Sequence, residues 1–107
     1  MSSIDDKMRM LRTRAEVIFY TFSVFLTKEQ AELATTTCLE ISLKRELEVA
    51  EDWLRDNKKI WENLKNKNNR TPNKYDEGAL IAYEGRSLSH QREIDEIKDL
   101  LVLIKLL

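Results

Sequence analysis

His90 and Cys38 are the only imidazole and the only thiol in this 107-residue chain, so any chemistry built on either must work with one of each. A structural or catalytic zinc site needs three or four ligands at short, defined spacings. The chain has no HExxH, no paired CxxC and no Glu-x-x-His on a helix, because Ser87 stands three residues before His90. Nucleophilic catalysis needs a base beside the nucleophile, and no nucleophile signature surrounds Cys38 or any serine. No Gly-rich phosphate loop is present either. Cys38 falls on an apolar helical face, which predicts a buried structural thiol. The run Lys65 to Lys74 carries a charge of +4 from Lys65, Lys67, Arg70 and Lys74. It reads as a polar loop near a helix C-terminus, where cations are favourable, ahead of a contact for phosphate or an acidic partner. These absences predict a protein without enzymatic activity or cofactor.

The elements that position these residues are all helical in pattern. Thr27 precedes a helical run with Gln30 three residues on, a capping box. From Thr27 to Thr71 there is no Gly or Pro, so one helix is expected over about 28–65. At ~1.5 Å per residue it would be on the order of 55 Å long. Its apolar positions are Ala31, Ala34, Cys38 and Ile41, then Leu39, Leu43, Leu47, Ala50, Leu54, Trp61 and Leu64, with Trp53 and Ile60 widening the stripe. Glu40 to Lys44 and Glu51 to Arg55 are spaced for i,i+4 ion pairs on the opposite face. Before it, Ser2, Ser3, Asp5 and Asp6 make a helix start for an element over about 4–25. That element has one apolar stripe through Ile4, Met8, Leu11, Ala15, Ile18, Phe22 and Phe25, and Val17, Phe19, Tyr20, Val24 and Leu26 broaden its second half.

Asn and Pro mark the polar loop over about 65–74 as the one real break. A last helix follows over about 72–107, opening at Pro72 with Thr71 as cap or a few residues later at Tyr75. Tyr83, His90, Ile97 and Ile104 recur every seven residues, a heptad-like stripe. Gly78, Ala82, Gly85 and Ser89 place small residues along one face, as room for Trp53 or Trp61; a break near Gly85 is the competing reading. Composition agrees with an all-α fold: 42% apolar, 35% charged, two Gly and one Pro. A formal net charge of −1 gives no general attraction to nucleic acid or anionic membrane. The apolar run Val17 to Leu26 is too short to span a bilayer, and no secretory pattern opens the chain. The expected location is cytoplasmic.

The expected fold is a single domain, a three-helix antiparallel bundle or hairpin with one long central helix. The first helix is too short to cover the central one, so the region of Leu54 to Leu64 is expected to be left as a two-helix arm. A second copy would cover it, and the arm is expected to dimerise into a helical bundle with Trp61 in or near the interface. The residues assigned to dimer or partner contact are Phe19, Phe22, Phe25, Trp53, Trp61, Tyr83, His90, Ile97, Leu101 and Ile104.

Two resemblances bear on function. Ser89-His90-Gln91-Arg92 is similar to the phosphoacceptor box of histidine kinases and phosphotransfer bundles, with Gln91 where those families carry an acidic residue. The heptad position puts His90 toward the core, which favours a structural or interface histidine. From Leu26 to Leu107 the organisation resembles the TraM-type quorum-sensing antiactivators. The matching features are the capped start at Leu26-Thr27, the long helix with Glu48, Ala50 and Asp52 in its middle, and a last helix passing Tyr83 and Ser87-Leu88 and closing on Leu100-Leu101 and Leu103-Ile104. An Asn/Lys loop stands where that family carries paired glycines. The resemblance implies an all-helical dimer that binds a LuxR-type transcription factor and keeps it from DNA. The expectation is therefore a non-enzymatic homodimer that binds and sequesters another protein through apolar helical surface, with a small helical chaperone or assembly subunit as the alternative.

Overall fold

The computed structural model describes residues 3–107. The chain is all-α: α1 spans Ile4–Ser23, α2 Lys28–Arg70 and α3 Lys74–Leu103, and a 3-10 turn, Ile104–Leu106, follows. None of these helices is long and apolar enough to cross a membrane. Ser2, expected to share the first cap, lies outside the described residues. Ser3 caps α1, its hydroxyl accepting from the Asp6 amide at 3.1 Å. α1 stops at Ser23, two residues short of the expected end, and the chain turns through Val24–Thr27.

α2 begins where the Thr27–Gln30 spacing puts it, and both halves of the capping box are made. The Gln30 amide donates to Thr27 Oγ1 at 3.3 Å and the Thr27 amide to Gln30 Oε1 at 3.2 Å. The helix then runs to Arg70, five residues past the expected end. Asn lowers helix propensity without breaking a helix, Lys favours one, and the cations suit its C-terminal dipole, so the stop comes only at Pro72, which disfavours helical geometry at Thr71. The expected ten-residue loop is thus Thr71–Asn73. α3 is capped by Asn73, not Thr71. Asn73 Oδ1 accepts from the Asp76 amide at 2.8 Å, while the Asn73 amide donates to Asn68 Oδ1 at 3.0 Å. α3 passes unbroken through Gly78 and Gly85.

The chain forms two compact units, 1–46 with 96–107 and 47–95. In the first, three helices surround a core of Met8, Leu11, Ala31, Leu39, Leu43, Ile97, Leu100 and Ile104. Lys7 Nζ meets Asp99 at 2.6 Å and Arg14 meets Glu46 at 3.0 Å, tying α1 to each neighbour. Buried Thr35 satisfies its hydroxyl on the Ala31 carbonyl at 2.6 Å. Cys38, expected to be buried, is half-buried. In the second unit, the α2 and α3 segments form an antiparallel hairpin closed by Thr71–Asn73.

Of the two ion pairs expected on α2, Glu40–Lys44 forms at 2.9 Å. Arg55 turns to Asp52 instead of Glu51, since an i,i+3 partner is equally within reach. The hydrogen bond and charge of Lys44 hold the Glu40 carboxyl below its ordinary range, with a smaller contribution from the Lys105 charge. A depressed carboxyl contributes stability above its unfolded pKa and loses it as pH falls through the folded value. Carboxyl titration by NMR should therefore show Glu40 moving upward in Lys44→Ala, toward an unpaired glutamate; no movement would exclude Lys44 as the cause.

Leu39 is fully enclosed in the first unit. Leu39→Ala should cost about 2–5 kcal/mol in urea unfolding, through lost transfer energy and the cavity left behind. A loss below ~1 kcal/mol would mean this core is not closed as described.

Candidate protein-binding surfaces

Within 47–95 the two helices meet along a heptad seam. α2 contributes Leu47, Ala50, Leu54, Asn57, Trp61, Leu64 and Asn68; α3 contributes Asp76, Leu80, Tyr83, Ser87, His90 and Ile94. Only Ala50, Asp76 and Ile94 of these are buried, and the rest are half-buried. One helix against one helix covers a seam from a single side, so this follows from the element count.

Polar groups occupy several seam positions. At the turn end they are matched. The Asp76 carboxylate accepts from Asn73 Nδ2 at 2.8 Å and lies 3.5 Å from Lys67 Nζ. Further along they are not: Asn57 Nδ2, Trp61 Nε1 and His90 Nδ1 are shielded from solvent and have no hydrogen-bond partner among the described residues. Glu93 lies 3.9 Å from His90 Nδ1, close enough for charge attraction and too far for a hydrogen bond. The Trp53 ring meets the His90 ring edge-on, centroids 5.7 Å apart at 62°. A phosphoacceptor histidine presents a free ring nitrogen to its donor, and this imidazole is largely enclosed by its seam.

One side of the hairpin opens into a groove of ≈550 Å³, lined by Leu54, Lys58, Trp61 and Glu62 of α2 and Glu84, Ser87, Leu88 and Gln91 of α3. Leu88 is 69% exposed, and Ile81, seven residues earlier on the same face, is 71% exposed. On α2 Trp53 is 56% exposed, and Val49 and Ile60 are exposed with it. The small-residue stripe does not receive Trp53 or Trp61 as expected: a methyl group at Gly78 or Gly85 would meet nothing within 4 Å. Trp53 packs on His90 instead, and Lys65 Nζ sits over the Trp61 ring at 4.9 Å. With Lys65 on Trp61 and Lys67 on Asp76, the basic run is partly committed inside the unit.

The first unit has its own open surface, a cleft of ≈820 Å³ whose walls include Ala15, Phe19, Leu33 and Leu107. On α1 Val17 and Tyr20 form an exposed stripe that Val24 continues into the turn, where Phe25 is 86% exposed. The residues assigned to contact therefore divide. Phe19, Phe22, Phe25, Ile97, Leu101 and Ile104 fall in the first unit, Trp53, Trp61, Tyr83 and His90 in the second. Ile97 and Ile104 are buried in the first unit's own core and present no surface. Phe19, Phe22 and Leu101 are half-buried. Ile81 and Leu88 were not among the assigned residues; their seven-residue spacing, two positions before each seam residue Tyr83 and His90, is the signal that marks them.

Among the described residues no cluster of three His, Cys, Asp or Glu side chains is placed to hold a metal ion. No protein-family model, curated protein or solved structure matches the chain. The structure defines an all-α protein built of two helical units with apolar side chains left on their surfaces.

Because nothing approaches Gly85, replacing it by Ala should raise helix stability by about 1 kcal/mol with no steric penalty. Urea unfolding of Gly85→Ala measures this. A net destabilisation would mean that another surface presses on that face.

Proposed function

We propose that this protein is a non-enzymatic, homodimeric helical regulator that binds and holds a partner protein, in the manner of an antiactivator acting on a transcription factor in the cytoplasm. The observation that carries this reading is the amount of large apolar side chain left exposed: Val17 and Tyr20 on α1 with Val24 and Phe25 in the turn after it on one unit, Trp53, Ile81 and Leu88 on the other. Large exposed apolar patches mark sites of protein association. Two units with separate apolar surfaces suit a protein that meets a copy of itself with one and a different protein with the other.

The second reading is a helical chaperone or assembly subunit, which would use the same α1 stripe to cover a partner helix. The two differ only in what is bound.

The test is affinity capture from the source cells with wild type and Val24→Glu, followed by purification of the captured protein and calorimetric titration. Val24 is exposed, so the variant should keep its helical circular dichroism. A captured DNA-binding regulator that titrates at a fixed stoichiometry, at least tenfold more weakly with the variant, supports the antiactivator reading. A secreted or structural subunit with the same behaviour supports the chaperone. Captured proteins that bind both forms equally would remove the α1 stripe as a partner surface.

A further inference from the structure

The groove of the second unit is lined by Lys58 of α2 and Glu84 of α3, and Lys65 and Glu77 stand one heptad from them toward the turn. One residue past the seam positions Asn57 and Leu64, α2 presents Lys58 and Lys65; one residue past Asp76 and Tyr83, α3 presents Glu77 and Glu84. All four are exposed. Among the described residues none of them forms an ion pair within the chain. Lys58 and Glu84 line the same groove without forming an ion pair. Glu62, one residue past Trp61, lines the α2 side as well, so the complementarity rests on Lys58 and Glu84, which follow the equivalent seam positions Asn57 and Tyr83.

Two hairpins can stack face to face with two-fold symmetry in two ways. If the axis crosses the helices, α2 lies on the partner's α2 and α3 on its α3. Lysines then face lysines and glutamates face glutamates. If the axis runs along the helices, α2 of each copy lies on α3 of the other, antiparallel, and Lys58 of each faces Glu84 of the other. Like charges directly opposed are unfavourable and unlike charges set the orientation, so only the second arrangement is compatible with this groove. It also places Ile81 and Leu88 over the partner's α2 and completes a four-helix bundle around Trp61.

We propose that the groove lined by Leu54, Trp61 and Leu88 is the self-association site, occupied by the same groove of a second copy with Lys58 of each chain against Glu84 of the other. This rests on the homodimer reading above and adds to it which surface is used and in which orientation. The α1 stripe of the first unit is then the surface left for a different protein.

The test is sedimentation equilibrium on the full chain as wild type, Lys58→Glu, Glu84→Lys and an equimolar mixture of the two variants. Both positions are solvent-exposed, and circular dichroism separates dissociation from unfolding. Wild type should be dimeric at micromolar concentration. Each single variant should dimerise at least about tenfold more weakly, since symmetry creates two like-charge contacts. The mixture should recover the dimer as a heterodimer, because each variant supplies the charge the other now needs. A monomeric wild type would overturn both this proposal and the homodimer reading. A dimer indifferent to the single reversals, or one not recovered on mixing, would overturn the groove arrangement and leave the homodimer standing.

Discussion

A helix buries side chains only where another helix lies against it, and the supply of neighbours governs this structure. α2 has 43 residues, α3 has 30 and α1 has 20. Where all three take part, Leu11, Leu39 and Leu43 lose all contact with solvent. In the hairpin of two, seam residues of similar size, Leu54, Leu64 and Leu80, stay half-covered. At roughly 25 cal/mol per Å² of apolar surface, partial coverage leaves stabilisation unrealised at these positions.

The same constraint explains how far the sequence could be read. The Thr27–Gln30 cap and the uninterrupted α2 are local or periodic signals that stand where spacing puts them, while the apolar stripe Ile4 to Phe25 is covered from Met8 to Phe22 and leaves both its end residues exposed. The end of α2 was harder, because Asn weakens a helix without ending it, Lys supports it, and only Pro72 forbids continuation. Tyr83, His90, Ile97 and Ile104 share one heptad position and were read alike. Ile97 and Ile104 are enclosed by three helices, whereas Tyr83 and His90 have one helix opposite them. Periodicity gives the face of a helix and says nothing of how many neighbours cover it.

Polar seam residues show a different limit. Asp76 falls on the same heptad as Tyr83, and Asn57 and Asn68 fall on the α2 seam, yet a search for apolar periodicity passes over them. The structure shows their uneven standing. Asn68 and Asp76 are held by Asn73 and Lys67 at the turn, while Asn57, Trp61 and His90 keep shielded donors without acceptors. An unmet buried donor costs about 1–3 kcal/mol, so the middle of the seam is held more weakly than its turn end.

The division of the chain between its units bears on the order in which they form. Residues 47–95 are contiguous, and their hairpin turn is tied by the short-range bonds from Asn73 to Asn68 and Asp76. The first unit draws on 1–46 and again on 96–107, so its core waits for Ile97, Leu100 and Ile104. Local pairing forms sooner than contacts between distant parts of a chain. The hairpin can therefore pair through local contacts alone, while full burial of Leu11, Leu39 and Leu43 needs Ile97, Leu100 and Ile104 as well.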